Sequence, residues 1–401
     1  MAFSTEYDII IAGGGLAGLT AALTFARSDF SVLCLDPAPP VTERNAEGAD
    51  HRSTAILQPG QALLQEIGVW DRLAEEARGL RIMRIVDAGG AENTPREIRD
   101  FDSTELGEQP FGWNLANWFL RRELAAAARD CPGLIYETGL SLQDALPRSS
   151  TIEAQLSDGR RVTAKLVIGA DGRNSRVRDI LGITVKTRRY GQKALAFAVN
   201  HPTPHDNIST EIHRTGGPFT LVPLSDYQGQ PCSAVVWMAP GRQIAELAAL
   251  SDAEFSQAAT ERSCNLLGPL ELASARTVWP IIAQSAQRFV GPRMALMAEA
   301  AHVVPPIGAQ GLNMSLGDLI CLRDLAVKNR DTLGAPGMLQ AYDRARRPEV
   351  QARLTGIDLL NRASMTELQP LRDLRHMGLR LLHGAKPVRL GMMRLGLGAR
   401  N

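Results

Sequence analysis

The chain predicts an α/β protein, and three separated stretches carry that expectation. Tyr7-Asp8-Ile9-Ile10-Ile11-Ala12 is an apolar run of buried-strand type that leads into Gly13-Gly14-Gly15-Leu16-Ala17-Gly18 and an apolar helix over residues 16–26. In the middle of the chain, residues 151–156 and 161–168 alternate about Asp158-Gly159, a strong hairpin signal, and the second strand delivers Asp171 to a turn. Near the end, an apolar strand over residues 294–298 is closed by the acidic Glu299. Pro305-Pro306-Ile307-Gly308-Ala309-Gln310-Gly311-Leu312 follows, with a helix from about Asn313. Strands feeding glycine turns and helices in this order are the grammar of a nucleotide-binding, Rossmann-like sheet.

Each element has its own physical justification. In Gly-x-Gly-x-x-Gly, Gly13 allows the tight turn, Gly15 lets a pyrophosphate approach the backbone, and Gly18 lets the helix pack on the sheet. Leu16 and Ala17 open that helix and bring its free N–H groups to the phosphates. The next strand, Val32-Leu33-Cys34-Leu35, ends at Asp36, eighteen residues after Gly18, where an acid would accept hydrogen bonds from a ribose. Asn117 opens an Ala-rich helix to about residue 128, and helical spacing puts Asn117 and Arg121 on one face with Arg122 elsewhere. After Asp171, the residues Arg173, Arg176 and Arg178 fit two readings, phosphate contacts or a solvated helix face. The bare N–H groups of the helix after Gly311 would seat a large anion-prone ring.

Ala298-Glu299-Ala300-Ala301-His302, followed by Pro305, by Gly308-Ala309-Gln310-Gly311-Leu312-Asn313 and by Asp318, resembles the second FAD motif of the class A aromatic hydroxylases. The likeness is to their ubiquinone-biosynthesis branch. Ala298 and Ala309 stand where that family usually has Gly, and Glu299 where it has the Asp that holds the flavin ribityl chain. The resemblance implies non-covalent FAD, with Asp171 beside its pyrophosphate and Asn117 and Arg121 reaching its phosphates and ribityl chain. It further implies Arg52 near a mobile flavin ring, and Gln310, Gly311, Leu312 and Asn313 around that ring's pyrimidine end. The implied fold is a FAD-binding domain of the glutathione-reductase/para-hydroxybenzoate-hydroxylase type with an inserted mixed β-sheet for the substrate. NADH or NADPH would be the electron donor and O2 the co-substrate. A flavin C4a-hydroperoxide would hydroxylate an aromatic ring, that of a hydrophobic, polyprenylated phenol. His302 is the titratable residue nearest the chemistry by motif; the two readings of it are a catalytic group and a packing residue.

The 401 residues, 44% hydrophobic and 22% charged, suffice for more than one domain. A FAD-binding domain is expected from residues 1–75, 100–180 and 285–365, and a substrate-binding sheet from residues 76–99 and 185–284. In the latter, residues 193–199, 208–214, 219–224 and 233–238 read as strands and residues 81–86 as an added edge. A net charge of +1 gives no reason to expect nucleic acid. Five scattered cysteines indicate neither a disulfide framework nor a metal site, and a chain starting almost at its first strand, without a signal peptide, fits the cytoplasm.

Residues 366–401 are expected to form a basic, helical C-terminal segment. From Leu371 onward seven Lys or Arg face the single Asp373, a net charge of +6. Contact with an anionic membrane face or a biosynthetic complex fits this segment, and so does a helix docked on its own domain with its arginines in water. Function alternatives also stay open: a flavin-dependent lipid reductase, another aromatic hydroxylase, or an inactive scaffold homologue.

Overall fold

The computed structural model of the chain describes residues 4–89, 94–214, 216–365 and 383–397. Glu6–Ala12 lies inside the first sheet, with Ile9, Ile10 and Ile11 wholly buried, as a strand covered on both faces requires. It pairs in parallel with Val32–Asp36 on one side and Arg161–Gly169 on the other. Leu134–Thr138 extends the sheet beyond Val32–Asp36, and Met294–Leu296 and Val290–Gly291 extend it beyond Arg161–Gly169. The hairpin at Asp158-Gly159 is present, with Ile152–Leu156 antiparallel to Arg161–Gly169 and Gly159 at φ +87°. Helix Leu16–Arg27 packs against Asn117–Asp130 and Gln310–Lys328, and the latter against the long helix Pro336–Met365.

The second sheet is built on Val185–Asn200, Gln230–Pro240, Gly217–Tyr227 and Ile208–Arg214, with Thr277–Ala286 and His302–Val303 on one side. One face carries Phe197, Phe219 and Trp237, which pack with Ile244, Leu247 and Phe255 of helices Gly241–Ala248 and Asp252–Arg262. The opposite face carries smaller residues. There Ala194, Met238 and Ile281 meet Ile307, from the loop that precedes helix Gln310–Lys328. The layer between the two sheets is therefore lined by the glycine loop's sheet on one side and by an apolar floor on the other.

Several boundaries differ from expectation. Residues 81–86 do contribute a strand, Ile82–Asp87, parallel to Ile208–Arg214, but the edge itself is Glu97–Asp102. That strand crosses the expected boundary at residue 100. Its composition, Glu-Ile-Arg-Asp-Phe-Asp, hides it, because charges are tolerated on an edge where one side has no neighbouring strand. Thr277–Ala286 likewise runs past residue 284. A third, small sheet of Ser53–Leu57, Gly112–Ala116 and Arg78–Leu80 was not expected. The helix expected from Asn313 begins at Gln310, because Ala309 adopts the left-handed conformation that ends the loop.

Of the basic C-terminal segment, helix Lys386–Leu397 docks on its own chain. Met393 is buried against Phe111, and Arg389 is paired with Glu105 at 2.6 Å. Residues 371–382 and Arg400 lie outside the described residues.

Candidate FAD site

The three glycines of the first loop are required for different reasons. Gly13 has φ +106°, and a Cβ there would lie 2.4 Å from the Ala170 carbonyl oxygen. At Gly18 a Cβ would lie 1.8 Å from the Gly13 carbonyl oxygen, so helix and loop touch backbone to backbone. Around Gly15 nothing lies within 4 Å of that position. Gly15 also caps helix Leu16–Arg27 without any side-chain hydrogen bond, which leaves the N–H groups of Leu16 and Ala17 facing open space.

Asp36 closes the second strand beside this loop. Its carboxylate accepts from Gly14 N at 2.7 Å and Ala38 N at 3.0 Å, and Arg121 Nη2 stands 3.6 Å away. Tyr136, which sequence reasoning missed, joins them because the parallel register sets it opposite Cys34, two residues before Asp36. Burial, reinforced by Asp36, pushes the Tyr136 hydroxyl up to about 12, so it remains a neutral donor. Tyr136 Oη and Arg121 Nε are both buried with no hydrogen-bond partner among the described residues. Two donors thus converge on one acid with capacity to spare.

Asn117, expected with Arg121 on the helix face toward the flavin phosphates and ribityl chain, is held by side chains of its own chain. It is 6% exposed; its amide donates to Asp50 Oδ2 at 3.0 Å and accepts from Thr54 Oγ1 at 2.7 Å. Its work is to hold Asp50, which in turn grips Arg52 through two bonds of 2.8 and 2.7 Å. Burial would raise the Asp50 pKa, but Arg52 holds the carboxyl below its ordinary value. Arg52 is placed over Trp279, 4.0 Å from the ring centroid, and Arg173 approaches the same ring at 5.5 Å. Arg173 Nε is 4.0 Å from the half-exposed carboxylate of Glu299. Trp279 Nε1 is a further buried donor with no partner among the described residues.

Of the three arginines after Asp171, only Arg173 belongs to this group. Arg176 donates to the Gln143 carbonyl, and the buried Arg178 donates to the carbonyls of Ala300 and Arg173, bracing the Ala298–Ala300 turn. The Asp171 side chain is consumed by its own turn, accepting from Ser175 Oγ and Val177 N. It shapes the loop that crosses Gly13.

The second motif is held from below. His302 is 3% exposed, with Nε2 at 2.6 Å from Asp318 Oδ2, and Asp318 also accepts from Ala298 N at 3.1 Å and Arg346 Nε at 2.9 Å. Burial would raise the Asp318 pKa, but His302 and Arg346 outweigh it and keep the carboxyl low. Enclosed in this way, His302 has the geometry of the packing reading, its ring engaged with Asp318. Asn313 stitches the helix to the small sheet, accepting from Leu57 N and donating to the carbonyls of Ala55 and Ala309. Gln310 is tied to the Gly308 carbonyl and to Arg353, while Leu312 packs on the core. Gly311 faces open space, and helix Gln310–Lys328 has no side-chain cap.

These openings fit FAD. Unpartnered donors stand at the Asp36 end and again at Trp279, an open glycine loop lies between helix and sheet, and an uncapped helix N-terminus stands at the second motif. The fold and this site define a flavoprotein with a two-sheet architecture. The solved structure of p-nitrophenol 4-monooxygenase PnpA from Pseudomonas putida shares that fold, with a TM-score of 0.79 at 17% identity over 99% of this chain and 100% of that one. The FAD binding domain family matches residues 6–356, and the chain belongs to that family. It is 31% identical over 394 residues to the ubiquinone hydroxylase UbiL of Rhodospirillum rubrum, covering 98% of this chain and 89% of that protein. To the 3-demethoxyubiquinol 3-hydroxylase of Escherichia coli it is 28% identical, covering 98% of each.

Proposed function

We propose that the chain is an FAD-dependent monooxygenase that hydroxylates the aromatic ring of a polyprenylated phenol in ubiquinone biosynthesis. The observation that carries this reading is the set of unpartnered donors and open backbone running from Asp36 to Gly311, in a chain matched over nearly its whole length by ubiquinone hydroxylases. FAD, when bound, supplies the redox centre that takes electrons from NADH or NADPH and activates dioxygen.

The chain's own residues bind, orient and exclude water. Asp36, Tyr136 and Arg121 would receive the adenosine end, and the open face of Gly15 with the N–H groups of helix Leu16–Arg27 the pyrophosphate. Arg52, Arg173 and Glu299 would border the ring end, where the N-terminus of helix Gln310–Lys328 offers positive potential to developing negative charge. The apolar floor of Ala194, Met238 and Ile281 under Ile307 would exclude water and suit a hydrophobic aromatic ring. Among the described residues no helix is long and apolar enough to cross a membrane. A prenylated substrate would be met by peripheral contact, to which basic residues beyond Leu371 other than the Glu105-paired Arg389 would bring charge.

The test is direct. Denaturing the purified protein should release FAD by mass, and turnover of a short-chain prenylated phenol with NAD(P)H under labelled dioxygen should place one labelled oxygen on the ring. A folded protein that takes up no flavin from excess FAD is a scaffold, and the reading falls.

A further inference from the structure

His213 and Glu211 stand two apart on Ile208–Arg214 and so share a face, with Glu211 Oε1 2.8 Å from His213 Nε2. Strand register places that face. Glu211 is opposite Thr220, Thr220 opposite Val236, Val236 opposite Ala196, and Ala196 opposite Thr277. Two residues along the same strands come His213, Pro218, Met238, Ala194 and Trp279, with Met238 and Ala194 packed near Ile307 and Trp279 under Arg52. The pair therefore lies on the face opposite helices Gly241–Ala248 and Asp252–Arg262, the face on which the end of helix Pro336–Met365 also rests, with Asn361 donating to Gln192.

A carboxylate offers only lone pairs, so the bond to Glu211 keeps the proton of the neutral imidazole on Nε2 and leaves Nδ1 a bare acceptor. Burial would raise the Glu211 pKa, but the bond to His213 holds it below its ordinary value, so the carboxylate form is the one present. His213 Nδ1 is buried without a hydrogen-bond partner among the described residues. On the neighbouring strand the charged residue opposite His213 is Asp87, which is paired with Arg96. A buried acceptor with no donor is costly, and here it stands beside Pro218 on the sheet face that carries the apolar floor of Ala194 and Met238. The donor it lacks is a hydroxyl on an aromatic ring.

We propose that His213, positioned by Glu211, receives the hydroxyl of the phenolic substrate and takes its proton. The O–H bond breaks as an Nδ1–H bond forms, the electron pair stays on the phenolate oxygen, and the Glu211 carboxylate balances the imidazolium. The ring is thereby made electron-rich where an electrophilic oxygen is to be accepted. This inference rests on the aromatic-hydroxylase reading and adds to it the group that selects a phenol.

The experiment titrates the FAD-loaded protein with 2-octylphenol and with its methyl ether, following flavin absorbance. The wild type should bind the phenol about tenfold more tightly than the ether, the worth of one buried hydrogen bond. His213→Leu should bind both alike, at the affinity of the ether, and the difference spectrum of its bound phenol should lack the phenolate band that the wild type shows at neutral pH. Glu211→Gln, which no longer forces the proton onto Nε2, should lose part of the preference, and it decides the matter should His213→Leu fail to retain FAD. A phenol preference undiminished in both variants, or absent from the wild type, overturns the proposal while leaving the hydroxylase reading intact. A wild type that binds neither compound and hydroxylates no phenol overturns both.

Discussion

A carboxylate with no access to water has to be answered on both oxygens, and Asp318 is: His302 and Ala298 N meet one, Arg346 the other. Removing its charge leaves a buried guanidinium and an imidazole facing a neutral group. Asp318→Asn should therefore cost about 3–5 kcal/mol of stability at neutral pH. The folded-state pKa of Asp318 is lowered, so its contribution is complete above the unfolded value of about 3.9 and fades as pH falls below it. Urea unfolding of both proteins should show the gap closing only in acid; a gap constant down to low pH would contradict the pairing. Ala298 and Ala309 set a second residue-scale test, since both hold φ +55° where the resembling family has glycine. The left-handed conformation costs a residue with a Cβ about 1–2 kcal/mol, partly offset by the extra freedom glycine gives the unfolded chain. Ala309 is exposed, so Ala309→Gly should gain about 0.5–1 kcal/mol. Ala298 is 5% exposed, and losing its methyl contacts should bring Ala298→Gly near zero. Equal shifts in denaturation midpoint for the two would refute this account.

At the scale of elements, the first glycine loop separates folding from binding. Gly18→Ala drives a Cβ into the Gly13 carbonyl, so helix Leu16–Arg27 must leave its sheet and the protein should unfold at markedly lower temperature. Gly15→Val meets no protein atom in its path and should fold normally while losing FAD affinity by at least tenfold. Calorimetry and flavin titration on both variants separate the two effects, and a Gly15→Val protein that binds FAD as the wild type does would move the pyrophosphate elsewhere. This loop was legible in the sequence because its needs are local: a strand, a left-handed turn and a close helix, all within a dozen residues. The His302, Asp318 and Arg346 cluster was not, since Arg346 arrives from another helix at no fixed spacing. The partners of Asn117 were hidden for a similar reason, as Asp50 and Thr54 reach it across the small sheet. Tyr136 depends on strand register, and so does the face of the sheet on which the Glu211–His213 pair falls, although the pairing itself is local to one strand. The charged edge strand Glu97–Asp102 carries no apolar pattern to be found.

For the whole molecule, the docked helix Lys386–Leu397 is a stabilising clamp on the second sheet's edge. His383 Nε2 meets the Asp100 carbonyl at 2.9 Å, and Met393 covers Phe111. Deleting residues 383–401 should uncover that patch and cost about 2–3 kcal/mol, the burial of one large side chain. FAD content should be preserved, because the described residues of this segment make their contacts with Asp100, Glu105 and the Phe111 cluster. A truncated protein with an unchanged melting temperature would show that the helix contributes nothing.

The first sheet has a further consequence, for the order in which the chain becomes protein. Arg161–Gly169 is flanked by Met294–Leu296, and the Leu296 carbonyl is in turn capped by the hydroxyl of Tyr342. A ribosome adding roughly 5–20 residues per second exposes the apolar strands of the N-terminal half long before either partner has been made. The nascent chain must spend most of its synthesis with an unfinished core, so its yield in a cell should depend on chaperones and on growth temperature far more than the stability of the finished enzyme would suggest.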